Sequence, residues 1–260
     1  MQQQAMSFFI IRRILETQIL FAMDQKSRII MKCYSVILLM SWLFSQTGYE
    51  IAERMNNREA PSDVKSTLIM TLKDKRGNTL ESKLISHSKD SGKKQMIWFV
   101  SPPSDKGISL YKIENDDGKD MMKMWLPAFK KIRKISSKKK SENFMNSDLT
   151  FEDLYNRSVD DFTYEIDSSN DSIYVLTSYP KEKLNSSYSK HISWISRSTL
   201  LTTREESYSS KGVLLKIKEI KYTNIDGFDL VKEINVVDVK TKHETHLKFE
   251  NMVLNSGIKD

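Results

Sequence analysis

Residues 68–87, LIMTLKDKRGNTLESKLISH, decide the fold of this chain. Leu68, Met70 and Leu72 alternate along the first part of this stretch, so they share one face of an extended backbone. The polar residues 73–78 supply a turn, and residues 79–87 return as a partner strand. The stretch therefore predicts an antiparallel β-hairpin.

The same period of two continues through most of the chain, with turn-forming residues between the runs. We predict strands at 95–100, 108–113, 121–126, 162–166, 173–179, 191–195, 202–208, 213–222, 230–240 and 244–249. Ten to twelve strands with short connections indicate a mainly β protein with a few helices. A curled antiparallel sheet, open as a half-barrel, is favoured over a sandwich because long crossovers are few.

Two helices are expected beside the sheet. Residues 49–59 form an amphipathic pattern that ends before Pro61, and residues 146–156 start with Ser147 or Asp148 as a helix cap. A strongly curved sheet cannot fill its concave face with its own side chains. The concave face therefore needs a helical cover or a ligand.

The N-terminal region has the pattern of an export signal. The apolar run YSVILLMSWLF at 34–44 follows Lys26, Arg28 and Lys32 and precedes small and polar residues, and it is shorter than the ~20 residues of a membrane-spanning helix. We interpret 1–30 as a spurious extension, 31–48 as a signal peptide and 49–260 as one domain. A core helix and a retained anchor are the alternatives. The single cysteine, Cys33, lies in the predicted signal.

The net charge of +7 is concentrated in one place, because residues 119–140 contain nine basic residues and one acid. A local patch argues against nucleic acid as the partner and for one anionic contact. Phe129, Ile132 and Ile135 recur among the bases and could form an apolar edge. The predicted docking patch for an anionic membrane surface or an acidic partner is Lys130, Lys131, Arg133 and Lys134. A solvated loop is the alternative.

Catalytic and cofactor motifs are absent from the sequence. It has no glycine-rich phosphate loop and no G-x-S-x-G motif, and one cysteine cannot form a Cys-based metal site. His243 and His246 are three apart in a predicted strand and would point to opposite faces. The carboxylates of Asp148, Glu152 and Asp153 could in principle take part in acid–base catalysis. Acidic residues in the first turn of a helix explain the same cluster, and this structural explanation is favoured. We therefore expect no enzyme activity, no metal and no cofactor.

Large apolar residues cluster in the middle of the chain, where methionines and aromatics suit variable apolar ligands, although ordinary core packing explains many of them. The residues predicted to line an apolar cavity are Trp98, Val100, Leu110, Met122, Trp125 and Phe144.

Residues 124–153, MWLPAFKKIRKISSKKKSENFMNSDLTFED, carry a family resemblance. Four groups follow one another along this motif. They are an aromatic-Leu-Pro group that ends at Pro127, a basic run that includes Arg133, a group that matches the pattern Phe-x-Gly-Ser-Asp, and an aromatic-Glu-Asp group. The chain resembles the LolA-like outer membrane lipoprotein-sorting proteins, in their uncharacterised periplasmic branch. The matching motif residues are Pro127, Arg133, Asn146, Ser147, Asp148 and Asp153, with Asn146 in the place of the usual Gly.

The resemblance implies an open half-barrel whose concave side is covered by helices. It also implies a carrier in the periplasm of a Gram-negative-type bacterium, with lipoprotein acyl chains or a similar lipid as cargo. An inner-membrane transporter or exporter and an outer-membrane acceptor are the implied partners. The alternative function is an interaction protein or exporter accessory that carries no ligand.

Overall fold

The computed structural model describes residues 46–115 and 120–259. The predicted extension at 1–30 and nearly all of the predicted signal peptide lie outside the described residues, and so do residues 116–119, between the predicted strands at 108–113 and 121–126. The compact unit begins at Thr47, two residues before the predicted domain boundary. Thr47 and Gly48 belong to this unit because they start its first helix.

The described chain contains one α-helix and thirteen strands. The helix is α1 (Gly48–Asn56). The strands are β1 (Asp63–Lys73), β2 (Thr79–Lys89), β3 (Lys94–Ser101), β4 (Ser109–Ile113), β5 (Met121–Leu126), β6 (Lys131–Lys134), β7 (Phe162–Ser169), β8 (Ile173–Pro180), β9 (Tyr188–Ser196), β10 (Thr202–Ser209), β11 (Leu214–Ile225), β12 (Phe228–Asp238) and β13 (Glu244–Leu254).

All thirteen strands form a single antiparallel sheet in the order β6-β5-β4-β3-β2-β1-β13-β12-β11-β10-β9-β8-β7. The sheet is not closed into a barrel. Pairing of β1 with β13 joins the first and last strands of the chain at the middle of the sheet. The predicted fold class, a curled and open antiparallel sheet, is confirmed.

The hairpin predicted from residues 68–87 is present, with its turn between Lys73 and Thr79. Leu68 pairs with Leu84, and the strands run to Lys73 opposite Thr79. Alternation along β1 to β5 places one set of side chains on a buried face, which we call the inner face. Its apolar core includes Leu68, Met70, Leu72, Leu84, Ile97, Phe99, Leu110, Met122 and Met124.

An irregular stretch, residues 135–157, covers this apolar half of the inner face, and we call it the covering segment. It contributes four buried residues to the core: Ile135, Phe144, Leu149 and Phe151. Its regular structure consists of two short 3-10 turns, Ser137–Lys139 and Glu152–Leu154.

The helix predicted at 146–156 is wrong. Met145 and Asn146 have φ angles of 48° and 61°, which reverse the chain before a helix can start. The Ser147 hydroxyl donates to the Phe144 carbonyl oxygen at 2.6 Å, so it closes this turn and does not cap a helix.

Helix α1 packs at the other end of the sheet, near β7. Thr47 caps it by accepting a hydrogen bond from the Glu50 backbone, and the Glu50 carboxylate accepts from the Thr47 backbone in return. Ile51 and Ala52 are buried in a second core with Tyr174, Leu176 and Ile195. In the described residues, no helix is long and apolar enough to cross a bilayer.

The close approach of α1 to the sheet requires glycine at position 48. A Cβ atom there would lie 2.9 Å from the Tyr164 Cβ atom and 3.2 Å from the Tyr164 backbone carbonyl carbon. We expect Gly48→Ala to lower the free energy of unfolding by ~1–3 kcal/mol through overpacking. Thermal and urea denaturation would measure this. The exposed helix variant Glu53→Ala is the control, and equal stability of the two variants would contradict the packing argument.

Candidate functional site

The covering segment is fastened to the sheet through its acidic side chains. The first contact is made by Asp148, one of the motif residues. Its Oδ2 accepts from the Thr245 hydroxyl at 2.6 Å and lies 2.8 Å from His243 Nδ1, and its backbone N–H donates to Thr245 Oγ1. Asp148 therefore ties the turn of the covering segment to the start of β13.

The second contact is the Asp153 carboxylate, which is completely buried. Lys216 donates to its Oδ2 and Lys218 donates to its Oδ1 at 2.8 Å, and both lysines come from β11. The Thr150 backbone N–H and the Tyr188 hydroxyl also donate to Oδ2, at 2.7 and 3.0 Å. Asp153 is thus the point where the covering segment meets β9 and β11.

The third contact extends the ion pairs to the end of the covering segment. Arg157 donates to both oxygens of Glu205 on β10, at 2.5 and 3.0 Å. Lys218 also donates to Glu205, at 3.1 Å, and so links the two carboxylates. We call Asp153, Arg157, Glu205, Lys216 and Lys218 the buried ion network.

Both carboxylates of the network remain ionised because their partners outweigh burial. Burial alone would raise the pKa of Asp153, but the ammonium groups of Lys218 and Lys216 hold it well below its usual range. Burial would likewise raise the pKa of Glu205, and Arg157 and Lys218 hold it well below its usual range. Both carboxylates are therefore ionised at neutral pH, whereas burial lowers the pKa of the Lys216 ammonium.

His191 on β9 lies beside this network and is buried. Its Nδ1 atom is 3.0 Å from the Ser207 hydroxyl oxygen and 3.3 Å from an Arg157 nitrogen. Burial, reinforced by the Arg157 guanidinium, lowers the pKa of His191 to about 3. The imidazole is therefore neutral at neutral pH.

A small cleft opens where the covering segment crosses the network. Its volume is about 90 Å³, which is below the ~300–1,000 Å³ of ordinary small-molecule pockets. Its wall combines polar and apolar groups, and it includes Glu152, Arg157, Tyr188 and His191. This cleft has no room for an acyl chain in the observed arrangement.

The acidic cluster of the sequence therefore holds the covering segment in place. Glu152 accepts from the backbone N–H and hydroxyl of Ser187, at 2.9 and 2.5 Å, and from the Ser186 hydroxyl. Asp148 and Asp153 are likewise bound to side chains of the sheet. Groups of three or more side chains suited to a metal ion are absent from residues 46–115 and 120–259.

The six residues predicted to line a cavity are divided between the two faces of the sheet. Leu110, Met122 and Phe144 are buried in the core under the covering segment. Trp98 alternates with the buried Ile97 and Phe99, so it lies on the outer face, where its ring contacts His87. Trp125 is exposed on the outer face, and Val100 is half-buried where the pairing of β2 with β3 shifts. The structure does not bring these three residues to the inner face.

The predicted docking patch lies at an edge of the sheet. Lys130, with a left-handed φ of 46°, follows the 3-10 turn Pro127–Phe129, and strand β6 comes next. Lys131 and Lys134 are exposed, whereas Arg133 forms an ion pair with Glu142 of the covering segment. Pro127 packs near Gly107 at the start of this edge.

Sequence reasoning missed the partners of Asp153. Lys216 and Lys218 occupy alternate positions of a strand that was correctly predicted, and lysine at such positions indicates a solvent-facing side. Arg157, Glu205 and His191 carried no motif signal. Two lysines at i and i+2 therefore indicated a shared face, but the sequence held no sign that this face was buried.

We expect Asp153→Asn to lower the free energy of unfolding by ~3–5 kcal/mol, because it leaves the buried Lys216 ammonium without a carboxylate and Lys218 with Glu205 alone. The matched control is Asp161→Asn, which removes an ion pair to the exposed Lys183 and should change the free energy of unfolding by less than ~1 kcal/mol. Urea denaturation would measure both. A loss for Asp153→Asn no larger than that of the control would contradict the proposed fastening.

We also expect a pH dependence from His191. Its pKa is about 3 in the folded protein and ~6.5 in an unfolded chain, so protons favour the unfolded state as pH falls below ~6.5. Between pH ~6.5 and about 3, this group should lower the free energy of unfolding by ~1.4 kcal/mol for each unit of decrease in pH. The variant His191→Gln should therefore show a flatter dependence of the free energy of unfolding on pH in that range. His246→Gln, at a half-exposed histidine, is the control. Parallel curves for His191→Gln and the wild type would refute this assignment.

Solved structures of other proteins share this fold. A DUF1329 family protein from Desulfovibrio piger is 27% identical, with a TM-score of 0.75, and the match covers 82% of this chain and 94% of that one. A domain assigned to outer membrane lipoprotein sorting, from Vibrio parahaemolyticus, is 25% identical with the same TM-score and coverage. A LolA superfamily protein from Nitrosomonas europaea matches at a TM-score of 0.64 and 18% identity over 81% of this chain and 94% of its own, which shows the fold alone.

Family membership rests on a second comparison. A family model described as "Uncharacterized protein" matches residues 91–260, which is more than half of the chain. A comparison with curated proteins finds no match. The matched region includes the whole motif at 124–153 together with the strands that bind it. The chain therefore belongs to this uncharacterized protein family, and its fold is the LolA-like fold that the motif indicated.

Proposed function

We propose that the protein is a periplasmic, non-enzymatic carrier that binds the acyl chains of a lipoprotein or a similar lipid and delivers them toward the outer membrane. One observation carries the proposal. The apolar inner face of β1 to β5 is covered by an irregular segment, which is fastened by polar contacts at a few points. A cover of this kind can exchange with a ligand more readily than a hydrogen-bonded strand can.

The ligand would take the place of side chains that the covering segment now supplies. Phe144 and Phe151 are in ring contact with each other, and Phe144 also contacts Phe99 of β3. They belong to the same buried apolar cluster as Leu110 and Met122 of the inner face, so withdrawal of the segment would expose apolar surface. An acyl chain that occupies this surface restores the burial that the aromatic rings lose.

The solved relatives support this proposal for cargo and location. One of them is assigned to outer membrane lipoprotein sorting, and another belongs to the LolA superfamily. By this analogy of fold, an inner-membrane transporter or exporter would supply the lipid, and an outer-membrane acceptor would receive it. The carboxylates of the covering segment are bound to sheet side chains, which fits a non-enzymatic role.

A second candidate function is an interaction protein that carries no ligand. The filled inner face favours it, because the core is packed under the covering segment and the cleft beside it measures only about 90 Å³. The two functions differ in whether the covering segment leaves the sheet. Binding of a lipid to the inner face distinguishes them.

We expect a photoreactive phenylalanine analogue placed at Phe144 to cross-link to a lipid during expression, because that ring lies where an acyl chain would bind. Mass spectrometry of the purified protein would detect the adduct. The same analogue at Val213, an exposed position on the far half of the sheet, is the control and should give no adduct.

Native mass spectrometry of the unmodified protein provides an independent measurement. Bound lipid in that experiment, together with the adduct at Phe144 alone, would support the carrier function. Absence of bound lipid, with no binding of a fluorescent fatty acid or a lipopeptide at ~100 μM, would favour the interaction protein.

A further inference from the structure

The outer face of β2 to β6 carries a row of four apolar side chains with one buried serine between them. Strand register places Ile132 opposite Trp125, Trp125 opposite Ser109, Ser109 opposite Trp98, and Trp98 opposite Ile85. Residues that are directly opposite in a sheet project to the same side. We call this row the outer strip: Ile132, Trp125, Ser109, Trp98 and Ile85.

Three of the four apolar members of the outer strip are exposed, and Trp98 is half-buried. Ile132 is 66% exposed, and Trp125 and Ile85 are each 38% exposed. Phe129, in the turn before β6, is 70% exposed at the end of the strip. Exposed aromatic and branched residues in one contiguous patch mark an interaction surface. The apolar core does not need these side chains, because it lies on the inner face.

A second row lies beside the outer strip and carries the positive charge of three lysines. Each member is again paired with the next across the strands, and the row consists of Lys134, Lys123, Tyr111, Met96, His87 and Lys65. Acidic residues are absent from both of these rows. On β2 the outer-face acid is Glu81, which pairs with Thr71 near the far end of the strand. The exposed Lys130 and Lys131 add positive charge at the edge.

From this arrangement we propose that the outer face of β2 to β6 docks onto an anionic lipid surface. Tryptophan and tyrosine with an apolar body and a polar tip are suited to the boundary between acyl chains and headgroups. Lysine side chains beside them can extend to headgroup phosphates while their stems remain on apolar surface. The charge of the face is complementary to an anionic leaflet.

A second copy of the chain is a poor occupant for the same face. Self-association through the edge would place the lysines of β6 against their own copies, and like charges that face each other across strands are destabilising. The outer face is also separate from the inner face to which the carrier function is assigned. The docking proposal therefore stands or falls independently of lipid carriage.

The test is sedimentation of the full chain with phosphatidylcholine vesicles, with and without phosphatidylglycerol. We expect binding only to the anionic vesicles, with loss at high salt. The variant Trp125→Ser/Phe129→Ser/Ile132→Ser removes apolar contacts, and Lys123→Gln/Lys134→Gln removes charge. Each lysine lost should weaken binding on the order of fivefold at low salt.

Matched controls come from the other half of the sheet. Val213→Ser/Leu215→Ser removes exposed apolar residues, and Lys211→Gln/Lys240→Gln removes exposed charge. Both controls should bind anionic vesicles as the wild type does. Circular dichroism and thermal denaturation confirm folding, and quenching of tryptophan fluorescence by brominated lipid, reduced in Trp125→Phe, reports insertion directly.

Three results would overturn the proposal. Absence of wild-type binding to anionic vesicles is the first. The second is a loss of vesicle binding in the control variants equal to that in the outer-face variants, which would show general electrostatic adsorption. Unchanged binding and quenching in the apolar variant would show that the strip does not enter the lipid, and an acidic protein partner would then be the better explanation of the basic row.

Discussion

The structure depends on the Asp153 carboxylate, which is buried between the ammonium groups of Lys216 and Lys218. An ionised group without water needs partners of opposite charge and hydrogen-bond donors, and Asp153 has both. The two lysines belong to β11, whereas Asp153 belongs to the covering segment. The charge requirement therefore fixes where the segment can cross the sheet, and the aromatic side chains next to it are placed on the apolar core as a result.

This constraint divides the inner face into two regions with different chemistry. The region under Phe144 and Phe151 is apolar and shaped by packing, whereas β9 to β11 present buried charged and polar groups. Apolar contacts are non-directional and can be replaced by a lipid chain, but the ion pairs need defined partners. In the proposed carrier function, a lipid would therefore replace the rings of Phe144 and Phe151, whereas it could not replace the ion pairs of Asp153.

The two faces of the sheet suit two separate tasks. In the two proposals, the inner face would bind a lipid under the covering segment, and the outer face would present Trp125, Ile132 and a neighbouring basic row to an anionic leaflet. Because successive residues of a strand point to opposite faces, one strand serves both tasks with alternate side chains. Strand β5 does so, with Met122 and Met124 on the inner face and Trp125 on the outer face.

The sequence by itself predicted most of the strands, the hairpin at 68–87, the open sheet and the order of the motif, because a period of two and turn residues are local signals. It did not predict the short edge strand β6. It did not determine which face is inner when both carry large apolar residues, and Trp98 next to Phe99 is such a case. It also could not show that Lys216 is buried. Its partner Asp153 lies 63 residues away, and only the tertiary structure brings that charge to it. Local patterns specify which residues share a face, whereas burial of a charge depends on a distant partner.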